Sequence, residues 1–138
     1  MYLSIDPGAT TGWCIFNADG GISWMNSIKH GEVIEWLETL QGIELVIIEE
    51  FMLNPPGFRN QVPKHDKMIT VQVIGYVKSW AKRNGVKVIE QQRDKRVVGY
   101  KYWGQKPLPK SDPLNHAYDA TAHGIYYLQR KGIREPVI

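Results

Sequence analysis

The sequence predicts an α/β fold in a single domain (residues 1–138): a mixed five-stranded sheet, built from a three-strand meander plus parallel strands and flanked by helices. Three observations carry this reading. Hydrophobic patterning along the chain gives the order β-β-β-α-β-α-β-α. The run Leu45-Val46-Ile47-Ile48 is continuously apolar at strand length, the pattern of a strand covered on both faces of a parallel sheet. A length of 138 residues suits one domain, which at this size buries roughly two thirds of its unfolded surface and needs no disulfide or structural metal.

Tyr2-Leu3-Ser4-Ile5 alternates apolar and polar residues and stops at the turn signal Asp6-Pro7-Gly8. Gly12-Trp13-Cys14-Ile15-Phe16 resumes the strand pattern, and Asp19-Gly20-Gly21 turns the chain into Ile22-Ser23-Trp24-Met25. From Glu32 to Gln41, Val33, Trp36, Leu37 and Leu40 recur at helical spacing, with Gly42 closing the helix. After the buried strand ends in Glu49-Glu50, the Pro-rich stretch from Leu53 to Pro63 sustains neither helix nor central strand and reads as an exposed loop. A helix over Lys64 to Asn84 is closed by Gly85, and Val86 to Ile89 is the fifth strand. Arg93 to Val98 is expected as a short basic helix or turn, and Gly99 to Pro113 as loop. The last helix starts near Pro113 or Leu114, with Asp112 as N-cap and Gly132 beyond its end.

Composition excludes several classes. The single Cys14 forms no internal disulfide, and no Cys/His cluster has zinc-site spacing. Met1 leads into Tyr2 without a basic region and long apolar stretch, and the longest aliphatic run has four residues against the roughly 20 of a membrane span. A soluble cytoplasmic protein, with no membrane partner, is expected. The net charge of +3 hides a strong asymmetry. Residues 1–50 carry one base against eight acids, and residues 78–110 carry ten bases against two acids. Such a division suggests a polyanionic partner, nucleic acid first, and a separate place where negative charge is gathered for another purpose.

That place is expected to be Asp6 at the end of the first strand, Glu49 at the end of the fourth, and Asp119 in the last helix. If the first and fourth strands are neighbours, the first two emerge at the same sheet edge, where α/β sheets put their sites. His116, Asp119 and His123 stand at i, i+3 and i+7, and at about 100° per residue their directions fall within roughly 60°. Each residue alone has an ordinary explanation as a turn starter, a strand exit to water or a helix-surface group. Together they suit a pair of divalent cations, because carboxylates gathered without one repel. Two such ions about 4 Å apart activate water, position a phosphate and stabilise the leaving 3′ oxygen. His116 is then a nitrogen ligand or a proton-handling group beside them.

These residues resemble the RuvC family of Holliday-junction resolvases, within the RNase H-like superfamily. Ser4-Ile5-Asp6-Pro7-Gly8 with Thr11-Gly12-Trp13 is similar to the opening strand carrying the first catalytic Asp. Ile47-Ile48-Glu49-Glu50-Phe51-Met52 is similar to the segment with the second carboxylate, and Asn115-His116-Ala117-Tyr118-Asp119-Ala120 resembles the terminal D-x-x-D-A helix, where some members carry His first. Gln72 to Gly75 and Gln92 to Gly99, the latter with the basic segment Lys95 to Gly99, are weaker likenesses. The resemblance implies an RNase H-like fold and Asp6, Glu49, His116 and Asp119 as catalytic metal ligands for two Mg²⁺ ions, with Mn²⁺ as substitute. It implies a homodimer that nicks four-way-junction DNA symmetrically, in the cytoplasm of a bacterial cell or phage-infected host. The family's extra basic helical stretch before the last helix is replaced here by the short connection Tyr100 to Asp112, as in compact phage or mobile-element versions. Lys95, Arg96 and Lys101 are candidate DNA-backbone contacts, and Phe58 and Arg59, with Phe51 or Met52, are candidates to wedge between unstacked bases. Two other readings are a DNA-binding module that does not cut and an actin-like nucleotide-binding domain, whose phosphate loop also follows a first strand with Asp, Gly and Thr.

Overall fold

The computed structural model describes residues 1–51 and 65–136. The Pro-rich stretch expected as a loop, with Phe58 and Arg59, and Met52 before it, lies outside the described residues. Five strands, β1 (Tyr2–Asp6), β2 (Thr10–Phe16), β3 (Ile22–Lys29), β4 (Leu45–Glu49) and β5 (Lys87–Gln91), form one sheet in the order β3-β2-β1-β4-β5. The meander pairs antiparallel, while β1–β4 and β4–β5 pair parallel, so β1 and β4 are neighbours as expected.

Strand alternation sends successive side chains to opposite faces. On one face, Leu3, Ile5, Trp13, Val46 and Ile48 pack against α1 (Val33–Glu38) and α2 (His65–Asn84). The spacing of Ile69, Val73, Val77, Trp80 and Ala81 gives α2 its buried stripe, and the rings of Trp13 and Trp36 meet at 4.9 Å between centroids. On the other face, Tyr2, Cys14, Phe16, Leu45 and Ile47 pack against Ile125 and Leu128 of α4 (Asn115–Arg130). None of the described helices is long and apolar enough to cross a membrane.

The stretch from Gly99, expected as loop, is corrected by the structure: a helix, α3, runs Lys95–Trp103. Its β-branched and aromatic residues favour helix only weakly, so packing decides. Gly99 lies so close to the backbone of Ala122 that α3 and α4 meet without an intervening side chain. Trp103 then packs on Tyr118 at 4.9 Å, and Tyr102 stacks on Tyr126 at 6.0 Å. Asp112 does not cap α4 directly; its Oδ1 accepts from the Leu114 N–H at 2.9 Å, one turn ahead of the helix. The strand β5 also extends two residues past Ile89, which brings Gln91 into the sheet.

A second close approach sets the position of α4. A Cβ on Gly12 of β2 would overlap the main chain at His116 and Ala117. Backbone atoms cannot give way as a flexible side chain can, so Gly12→Ala and Gly99→Ala are each expected to cost about 3 kcal/mol or more. Urea unfolding midpoints check this, and a loss below about 1 kcal/mol at either position would contradict the packing described.

Candidate metal centre

Side-chain parity delivers the acids to one place. Tyr2, Ser4 and Asp6 point from β1 toward α4, as do Leu45, Ile47 and Glu49 from β4. Ile5 pairs with Ile48, so Asp6 and Glu49 leave adjacent parallel strands at the same level. Glu49 in turn pairs with Gln91 of β5, making a polar row across three strand ends. Helix α4, seated on Gly12, crosses above this row and brings His116 and Asp119 down to it.

Asp6, His116 and Asp119 each offer a ligand atom, and these atoms all lie within 4.8 Å of one another. Two carboxylates and an imidazole at that spacing are a donor set that suits a hard or borderline divalent cation. His116 Nδ1 is 3.0 Å from Asp6 Oδ2. Burial pushes the Asp6 carboxyl up, with the nearby charges of Glu49 and Asp119 adding to it, while the His116 contact works the other way. His116 is also raised, first by its hydrogen bond to Asp6, although burial opposes this. The two shifts differ in origin because Asp6 is buried while His116 is only partly so.

Glu49 stands beside this trio but outside it, held by other partners. Its Oε2 is 3.1 Å from His123 Nε2 and 3.9 Å from Arg96, and its Oε1 is 3.9 Å from Arg93. Burial raises its carboxyl, but the His123 hydrogen bond and the Arg96 and Arg93 charges outweigh this and leave it lowered. Asp119 has both oxygens engaged: Tyr100 Oη donates to Oδ1 at 2.5 Å, and Arg96 donates to Oδ2 at 3.2 Å. Burial first, then the bond to Asp119, drives the Tyr100 phenol strongly upward, so it stays a donor.

The cluster forms the floor of a cleft of about 1120 Å³, whose lining includes Lys67, Arg93, Arg96 and Lys110 together with Phe51. Of the basic residues singled out in the sequence, Arg96 lies among the acids, whereas Lys95 and Lys101 are not among the described lining residues. Lys95 lies over the Tyr126 ring at 5.9 Å, and Lys101 is exposed. The basic tract is therefore divided: Lys78 and Arg83 pair with Glu90 and Glu38, with α2 on the opposite face of the sheet. Tyr100 and Gln91 escaped the sequence reading because one fell in an expected loop and the other beyond the expected strand end. His123 was visible on the helix face, and only the fold shows its contact with Glu49.

Two solved structures share the fold across nearly the whole length of both chains. A Thermus thermophilus RuvC in complex with Holliday junction substrate aligns with TM-score 0.63 at 19% identity, covering 99% of this chain and 98% of the other. A second Thermus thermophilus RuvC structure aligns with TM-score 0.60 at 19% identity, covering 99% of each chain. No protein-family model matches the sequence, and no curated protein matches it. The architecture is thus the RNase H-like fold of RuvC.

The pairing of His116 with Asp6 has a measurable consequence. In the metal-free protein His116 is expected to titrate above the ordinary histidine value of about 6.5, and Asp6→Asn to bring it down. Because the folded-state value of His116 is the raised one, its protonation adds stability that is present below about pH 6.5 while Asp6 is ionised, and is lost as pH rises through the folded value. An NMR titration of the imidazole tests this; a His116 that titrates at or below the ordinary value, or is unmoved by Asp6→Asn, contradicts the pairing.

Proposed function

We propose that this chain, which shares the RuvC fold, is a metal-dependent endonuclease that hydrolyses phosphodiester bonds in branched DNA, with the four-way junction as its substrate. The observation that carries the reading is the gathering of Asp6, His116 and Asp119 within 4.8 Å, beside Glu49, in a cleft with basic residues in its lining. Paired cuts in the two opposed strands of a junction require two active sites, so the reading includes a homodimer.

Asp6, Glu49, His116 and Asp119 would hold Mg²⁺, or Mn²⁺ in its place, as two ions. Such ions supply Lewis acidity, lower the pKa of water and offset charge on the leaving oxygen. The rest falls to the protein. Lys67, Arg93 and Lys110 receive the phosphate backbone at the rim. Tyr100 fixes one oxygen of Asp119 and Arg96 the other, which keeps that carboxylate oriented. Phe51, next to the acidic strand end, offers an apolar surface to an unstacked base.

One observation favours the reading as a DNA-binding module that does not cut. Arg96 lies 3.2 Å from Asp119 and 3.9 Å from Glu49, so a fixed cation already offsets part of the acidic charge. The two readings part in one experiment. Incubated with a synthetic four-way junction and Mg²⁺ or Mn²⁺, the wild-type protein is expected to nick it, and Asp6→Asn to reduce the rate at least about a hundredfold while still binding. Linear duplex and flap substrates run alongside show whether the four-way structure is selected. Binding without cleavage by either ion, or undiminished cleavage by Asp6→Asn, would refute the nuclease reading.

A further inference from the structure

Behind Glu49 lies a buried polar chain that ligand binding alone leaves unexplained. Gln91 Nε2 donates to the backbone carbonyl of His123 at 3.0 Å and lies 2.9 Å from the His123 Nδ1. A carbonyl oxygen only accepts, so the Gln91 atom between it and the ring is the amide NH₂. The reverse orientation would set two oxygens against each other. Nδ1 must then accept, and the ring proton is on Nε2. That Nε2 lies 3.1 Å from Glu49 Oε2, and the N–H donates to it. His123 has no exposed surface and Gln91 is buried, so the contacts between them are shielded from competing water, and the bond on to Glu49 is partly shielded.

A leucine would fill the His123 position without needing a partner for either nitrogen. What the imidazole adds is one N–H aimed at one oxygen of Glu49. On its cleft side the same carboxylate faces Arg93 and Arg96, each at 3.9 Å, and Arg93 is largely exposed. Two long contacts of that kind do not fix a rotamer; the shorter, part-buried bond from His123 does. It ties down Oε2, while among the described residues Oε1 has only the long contact to the exposed Arg93 side chain. We infer that Gln91 and His123 are positioning residues: Gln91 sets His123 as its Nε2–H tautomer, and that N–H holds the Glu49 carboxylate in place beside the metal cluster. This rests on the reading of Glu49 as a metal ligand. Hydrogen-bonded partners behind ligating groups commonly set metal affinity in this way.

The tautomer is tested on the wild-type protein without metal or DNA. A long-range ¹H–¹⁵N correlation spectrum should show His123 Nδ1 unprotonated and Nε2 protonated; a protonated Nδ1 overturns the proposal. Positioning is tested by titration with Mn²⁺ alone, read by the loss of the free-ion electron paramagnetic resonance signal, for wild type, Glu49→Gln, His123→Leu, His123→Gln and Gln91→Met. His123→Leu and Gln91→Met are expected to weaken binding about 10–100-fold. His123→Gln, whose side-chain NH₂ reaches the place of Nε2, should stay within about threefold of wild type, a rescue that packing alone would not give. Gln91→Met keeps the side-chain volume and serves if His123→Leu does not fold, which urea unfolding shows. If the folded His123→Leu and Gln91→Met proteins bind like wild type while Glu49→Gln does not, or if His123→Gln falls as far as His123→Leu, the positioning role is overturned. If Glu49→Gln itself binds Mn²⁺ like wild type, the ligand reading of Glu49 fails, and the positioning role falls with it even where the tautomer is as stated.

Discussion

Helix α4 can touch the backbone of β2 only where β2 carries no Cβ, and Gly12 supplies that place under His116 and Ala117. The rest of the cleft depends on this seat. Raised by one methyl group, α4 would lift His116 and Asp119 away from Asp6, and His123 away from Glu49. Gly99 repeats the device one layer out, where α3 meets the Ala122 backbone and so brings Tyr100 and Arg96 within reach of Asp119. Two missing side chains thus set the distances among the polar groups that matter most.

Close packing of this kind concentrates like charge. Asp6, Glu49 and Asp119 converge where water is partly excluded, and each is provided with a different compensation. Asp6 has the His116 imidazole, Asp119 has a phenol and a guanidinium, and Glu49 has His123 from behind and two arginines in front. These contacts lessen the repulsion without abolishing the negative character of the floor, which is what a divalent cation would meet. The arginines of the lining belong both to this compensation and to the attraction of a polyanion.

Several features were legible early because they are local. The alternation in Tyr2 to Asp6 and the apolar run before Glu49 placed both acids at strand ends, and period-2 parity then pointed them to one face. The spacing of His116, Asp119 and His123 placed all three on one stripe of α4. What misled was equally local. Tyr100 to Trp103, interleaved with Lys101, has weak helix preference, and only the facing backbone of Ala122 and the aromatic contacts with Tyr118 and Tyr126 make it helical. The charge of residues 78–110 pointed to a polyanion, but charge counted along a chain carries no record of which sheet face each helix covers.

By itself, then, the sequence determined the element order through β5, the faces of the strands and which acids stand at the strand ends, since each follows from periodicity and turn chemistry within a few neighbouring residues. The tertiary structure alone decided which polar groups meet: that Arg96 lies among the acids, that Tyr100 donates to Asp119, and that Gln91 and His123 stand behind Glu49. These contacts join residues from 19 to 74 positions apart. A hydrogen bond depends on distances of a few tenths of an ångström, and across such separations those distances are set by how closely helices and sheet can pack.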